Sequence, residues 1–213
     1  PQTVHDVHGG AASRQLLFDL RECAGQQEEA NRESDEQGDV MEQVGTRQAD
    51  TVVDVTPDEV RLSALETMAE LRRERAPALD LHLGAYSPLG FLDIEPGRWD
   101  LLLSALELAD FIGSLPEADD RRRYPDRIGF DTHLERMLEL AATHSKALHV
   151  HLDQRNESSE DGTERLVAAM RRTGAPVTPD EEPWVWAVHV ISPSTYPEQR
   201  FRQLLVDMRE LNI

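Results

Sequence analysis

Two histidines and an aspartate occupy alternate positions in residues 146–156, KALHVHLDQRN, within a run that otherwise has the apolar character of a buried strand. A further histidine, His189, stands near the end of a second such run, VWAVHVIS at residues 185–192. Neutral imidazole is the commonest nitrogen ligand of zinc and iron, and a catalytic metal makes hydroxide available near neutral pH by lowering the pKa of bound water. His151 and His189, brought to one point by neighbouring strands, are therefore candidates for metal-assisted hydrolysis. Asp153 and Gln154 follow two and three residues after His151, placed to hydrogen-bond a water or a substrate. The alternative is a set of buried histidines satisfied by backbone or carboxylate partners; several on one face of adjacent strands weaken it.

The elements that must position these residues are legible from residue 50 onward. DTVVDVT, DLHLGAYS, DFIGSLPE, ALHVHLDQ and VWAVHVIS have strand length and composition. Between and after them lie five amphipathic segments. The first is marked by a capping box, Thr56 with Glu59 and Pro57 at the first helical position, followed by Leu62, Leu65, Met68 and Ala69. Trp99, Leu102, Leu103 and Leu106 mark the second, Leu134, Met137, Leu138 and Ala141 the third, and Leu166, Val167 and Met170 the fourth, which stops at Gly174. Phe201, Leu204, Leu205, Met208 and Leu211 form the fifth, behind a second box from Thr195 to Glu198.

Strand starts recur roughly every 30 to 38 residues, one βα unit each, which predicts a parallel α/β protein. Period-two alternation puts Leu148, Val150 and Leu152 on one face of their strand and His149, His151 and Asp153 on the other. Asp54, His82, Ser114 and His189 intrude in the same way on the other strands. Helices covering both faces of an open sheet would make both apolar, whereas a barrel has an inner face and gathers its site at the C-terminal strand ends. No G-x-G-x-x-G or P-loop follows any of the strands. The expected architecture is an incomplete (β/α)8 TIM barrel, residues 49–213, because five units do not close a fold that takes about 250 residues. Before it, residues 1–48 comprise a loop and an acidic stretch, 22–48, with too few large apolar side chains to offset ordering; a solvated helix or flexible segment is expected there.

Composition removes several classes of function. With 41 acidic against 22 basic residues the formal charge is −19, a surface that repels phosphate backbones and anionic headgroups, so nucleic acid and membranes are poor partners. Cys23 is the only cysteine, which excludes a disulfide framework and a cysteine zinc site and fits a reducing cytoplasm. Trp184 and Trp186 are expected to pack against outer helices, and DDRRRYPD, residues 119–126, to be a solvated loop on the mouth side.

Residues 49–212 resemble the middle of a cytosine-deaminase-like, metal-dependent amidohydrolase. The resemblance is carried by ADTVVDVTPD, LDLHLGAYSPLGF, DFIGSLPEADD, LHVHLDQRNESSEDGTERL and WAVHVISPSTY. It implies that the five strands correspond to barrel strands two to six, that His151 is a metal ligand, and that His189 orients or protonates the attacking species. It also implies a divalent zinc or iron ion and a small cyclic amide, amidine or nucleobase-like substrate. Three departures stand out. The family's H-x-H pair on the first strand is absent, since His5 and His8 have the wrong spacing, and its eighth-strand aspartate would lie beyond residue 213. Gln154 stands where a proton-shuttling glutamate is expected, and an amide cannot act as a general acid at neutral pH. The expectation is a C–N bond hydrolase present in part, with Asp153, Gln154 and His189 in its chemistry and Asp54, His82 and Glu117 lining its pocket. A truncated barrel without its metal, acting as a binding or non-functional protein and exposing edges that favour self-association, is the alternative.

Overall fold

The computed structural model describes residues 39, 46–92, 96–175 and 183–213. The acidic segment read from the sequence lies almost wholly outside them. From residue 46 onward the described residues form five strands, β1 (Gln48–Asp54), β2 (Asp80–Tyr86), β3 (Phe111–Ser114), β4 (Ala147–Leu152) and β5 (Val185–His189), which alternate with five α-helices. These are α1 (Ser63–Arg75), α2 (Gly97–Ala105), α3 (Phe130–His144), α4 (Gly162–Thr173) and α5 (Glu198–Glu210).

All neighbouring strands are parallel and the sheet order is sequential, β1-β2-β3-β4-β5. A doubly wound sheet reverses its order at a switch point. Sequential order with right-handed crossovers instead puts every helix on the same side, and the sheet curls into a half-barrel. No helix among the described residues is long and apolar enough to cross a membrane.

The outer face obeys the alternation. Val53, Ala85, Ile112, Leu148 and Val185 stand level across the five strands and are buried in one core with Leu65 and Ala69 of α1, Leu102 of α2, Met137 and Leu138 of α3, and Leu166 of α4. Helix α5 is held differently. Only its Leu204 is buried, against Val167 and Tyr196, while Phe201, Leu205 and Val206 are exposed.

On the inner face small residues make room for rings. A Cβ at Gly84 would stand 2.2 Å from the Phe111 ring, and one at Gly113 2.8 Å from the Tyr86 ring, so glycine is what lets these aromatics cross to neighbouring strands. His149 stacks on Phe111 with centroids 4.0 Å apart, and Trp186 lies 5.7 Å beyond. Trp186 thus belongs to the inner face, level with His149, and not to the outer helices. Ser114 departs the other way: it is level with Val150 and faces the helices, buried to 1%.

Neither capping box forms. Thr56 and Arg61 bridge across a tight turn in which Thr56 Oγ1 donates to Asp58 Oδ1 at 2.6 Å, and α1 begins only at Ser63. Thr195 closes a 3-10 turn, Ser192–Thr195, by donating to the Ser192 carbonyl, so α5 starts after Pro197. In both places the threonine hydroxyl found a nearer partner inside a turn than the helix could offer.

Candidate functional site at the C-terminal mouth

The C-terminal ends of the strands, or the turn that follows in the case of β3, each contribute one polar side chain to the open end of the half-barrel: Asp54, Tyr86, Glu117, His151 and His189. His151 follows from the pleat, half-buried, its ring 5.5 Å from that of Tyr86. His189 does not. By register it is level with Leu152, on the side facing the helices. The backbone enters the left-handed region at His189 (φ 73°) and Val190 (φ 50°), and this kink brings the imidazole round so that its Nε2 lies 3.1 Å from His151 Nδ1. The sequence therefore identified the pair, but strand alternation alone was not the reason they meet.

The electrostatics of the mouth follow from burial. His151 is pushed below the ordinary histidine value, first by burial and then by His189 and His149, which favours the neutral ring, the form that binds metals. Tyr86 is pushed up to about 12 by burial, with Asp54 and Glu117 adding repulsion. Burial also raises Asp54. Glu117 is raised by burial and then by Glu160, against the attraction of Arg155 and a hydrogen bond from the Asp153 N–H.

Asp153 is 1% exposed and its carboxylate turns away from the histidines to the start of α4. It accepts the Gly162 N–H at 2.7 Å, the Thr163 N–H at 2.9 Å and the Thr163 hydroxyl at 2.5 Å. Its carbonyl takes the N–H groups of Ile191 and Ser192, each at 3.1 Å, tying β4 to the loop after β5. Gln154 is half-buried beside it. His82 is not brought to the mouth: it lies near the start of β2, its Nδ1 3.0 Å from Asp50 Oδ1.

Sequence reasoning did not find Glu160, which is 4% exposed and joins the loop after β4 to the loop after β5. Its carboxylate accepts the Arg155 N–H at 2.9 Å, the Arg155 Nε–H at 2.7 Å and the Ser192 hydroxyl, while its carbonyl accepts the Tyr196 hydroxyl at 2.6 Å. Burial alone would raise this carboxyl, but the Ser192 and Arg155 hydrogen bonds hold it below the usual range. A cavity of about 310 Å³ opens beside it, lined by Glu117, Arg122, Arg123, Phe130, Arg155 and Glu160 among others. Neither His151 nor His189 lines this cavity, so it flanks the histidine pair.

No family model matches the sequence, and no curated protein matches it. Solved structures do match its fold. The crystal structure of 5-methylcytosine deaminase from Klebsiella pneumoniae liganded with 5-fluorocytosine aligns with a TM-score of 0.71 at 22% identity, covering 88% of this chain and 42% of that chain. The same enzyme liganded with phosphonocytosine aligns at 0.62 and 23% identity, over 77% and 37% of the two chains. The fold is that of a cytosine-deaminase-like amidohydrolase. N-isopropylammelide isopropylaminohydrolase from Burkholderia multivorans ATCC 17616 shares it, with a TM-score of 0.64 at 22% identity over 78% of this chain and 40% of that one. The chain spans about two fifths of the length of these amidohydrolase barrels.

Enzymes of this fold generally depend on a metal, and His151 fits the part of one ligand. Its Nδ1 is engaged with His189, which leaves Nε2 as the nitrogen a metal would take, the usual division of an imidazole between metal and supporting partner. Among the described residues no group of three or more His, Cys, Asp or Glu side chains is placed to hold an ion.

Proposed function

We propose that this chain supplies the histidine side of the mouth of a hydrolase that cleaves a C–N bond in a small cyclic amide, amidine or nucleobase-like molecule. The observation that carries this reading is the contact of His151 with His189 at the C-terminal mouth of an amidohydrolase-type half-barrel. His151 Nε2 would hold a divalent zinc or iron ion, which when bound supplies a water of lowered pKa. His189, through Nε2, orients the His151 ring and accepts or returns a proton at the mouth. Gln154 hydrogen-bonds substrate without titrating, and Asp54 and Glu117 line the approach; Asp153 holds the loops that carry these groups. A cytoplasmic setting agrees with the single cysteine, Cys23.

The test is elemental analysis for zinc, iron and manganese on the full chain after gel filtration, beside His151→Ala. One metal per chain, lost in the variant, is expected. Unchanged metal content in a folded His151→Ala would remove His151 from the ligand set. A second reading is a binding protein without chemistry, which fits a half-barrel where no group of three or more His, Cys, Asp or Glu among the described residues is placed to hold an ion. It predicts a metal-free chain that still binds small heterocycles, and self-association through β1 and β5, the edge strands of the described sheet, read by sedimentation.

A further inference from the structure

Ser114, the last residue of β3, has its Oγ 2.9 Å from His133 Nε2 on α3, and His133 Nδ1 donates to Asp119 Oδ2 at 2.5 Å. The three are 1%, 1% and 0% exposed. Asp119 Oδ1 also accepts the Phe91 N–H at 2.8 Å. Gly90, at φ 63°, is needed for that approach, because a Cβ there would stand 2.5 Å from the same oxygen.

Serine, histidine and aspartate joined in this order are the connectivity of a nucleophilic triad. A nucleophile must be reached by an electrophile, and this hydroxyl is sealed beneath α3, with the Phe91 ring 5.6 Å from that of His133. What the chain of bonds does join is the end of β3, the 3-10 turn Pro116–Asp119, helix α3 and the loop at Phe91. Glu117 lies inside that turn, between the anchors at Ser114 and Asp119.

We propose that Ser114, His133 and Asp119 form a positioning bracket that holds the Pro116–Asp119 turn at both ends and so sets the Glu117 carboxyl against the Asp153 N–H at the edge of the cavity. The bracket rests on Glu117 being part of the mouth and requires no catalysis. The charged and titratable groups facing Glu117 are Glu160, Arg155 and Asp153 from the β4–α4 loop and Tyr86 from β2. They bear on its ionisation only while the turn stays in place, so the position of Glu117 can be read from its titration.

The experiment is a side-chain carboxyl titration by carbon-detected NMR on the full chain, with Glu117→Gln assigning the signal. In the wild type Glu117 is expected to titrate above an ordinary glutamate. Ser114→Ala, which removes one hydrogen bond with little change in volume, and Asp119→Asn should each bring the midpoint down by about half a pH unit or more. Leu166→Ala, which opens a hole in the core away from the turn, should lower stability and leave that midpoint where it was. An unmoved midpoint in a folded Ser114→Ala overturns the bracket while leaving the proposed site standing. An ordinary midpoint in the wild type overturns the bracket and removes Glu117 from the mouth, while the His151–His189 reading stands or falls on its own metal analysis.

Discussion

The two sides of the mouth are held in different ways. On the β3 side, Glu117 rides on a turn whose neighbours are fastened to Ser114, His133 and Asp119, all essentially without exposure. On the β5 side, His189 is exposed, sits at a left-handed kink, and reaches His151 through a single ring contact at 3.1 Å. Buried hydrogen bonds are costly to break because the abandoned donor cannot turn to water, whereas an exposed imidazole can. One wall of the mouth is thus fastened by buried bonds and the other by an exposed contact, and Asp153, just after β4, is bonded to both.

Substitutions can break that comparison, and the largest effect is expected at the fixed wall. Asp119→Ala would strand the Phe91 N–H and the His133 ring in the core, a loss of about 3–5 kcal/mol, measured by urea unfolding. A loss below about 1 kcal/mol would mean the wall is not fixed by these bonds. Asp153→Ala comes next. Removing the cap of α4 and its bond to the Thr163 hydroxyl should cost about 1–3 kcal/mol, and amide exchange should quicken at Gly162 and Thr163 first.

Glu117→Gln sharpens the comparison through pH. A carboxyl raised in the fold binds its proton more tightly there than in the unfolded chain, so it contributes stability at low pH that is lost as pH rises through the folded value. The amide escapes that loss. The variant should match wild type below pH 4 (roughly the ordinary glutamate range) and exceed it at neutral pH in paired thermal melts; equal stability at both would refute the burial of this carboxyl. His149 and His151 act with the opposite sign. Both are depressed, chiefly by burial, so stability should fall as pH drops from the unfolded value near 6.5 towards the folded ones, because the unfolded chain takes up protons first. The smallest effect is expected for His189→Ala, within about 0.5 kcal/mol of wild type by the same melts. A large loss there would make the β5 wall as rigid as its counterpart.

Residue types and their order were enough for the elements, the parallel sheet and the barrel, because the outer face is read by burial against helices and burial leaves a period of two in Leu148, Val150 and Leu152. They also sufficed to single out His151, which keeps to that period. Only tertiary structure decided the rest. His189 joins His151 through backbone dihedrals that leave no mark on residue spacing. Asp153 follows the alternation in sequence, yet a left-handed φ of 53° and the waiting N–H groups of α4 turn its carboxylate into a cap. Thr56 and Thr195 carry capping signatures that nearer turn partners outbid. His133 meets Ser114, Asp119 meets Phe91 and Glu160 meets Tyr196 across long stretches of chain, and a hydrogen bond across such a separation has no local pattern from which to be read.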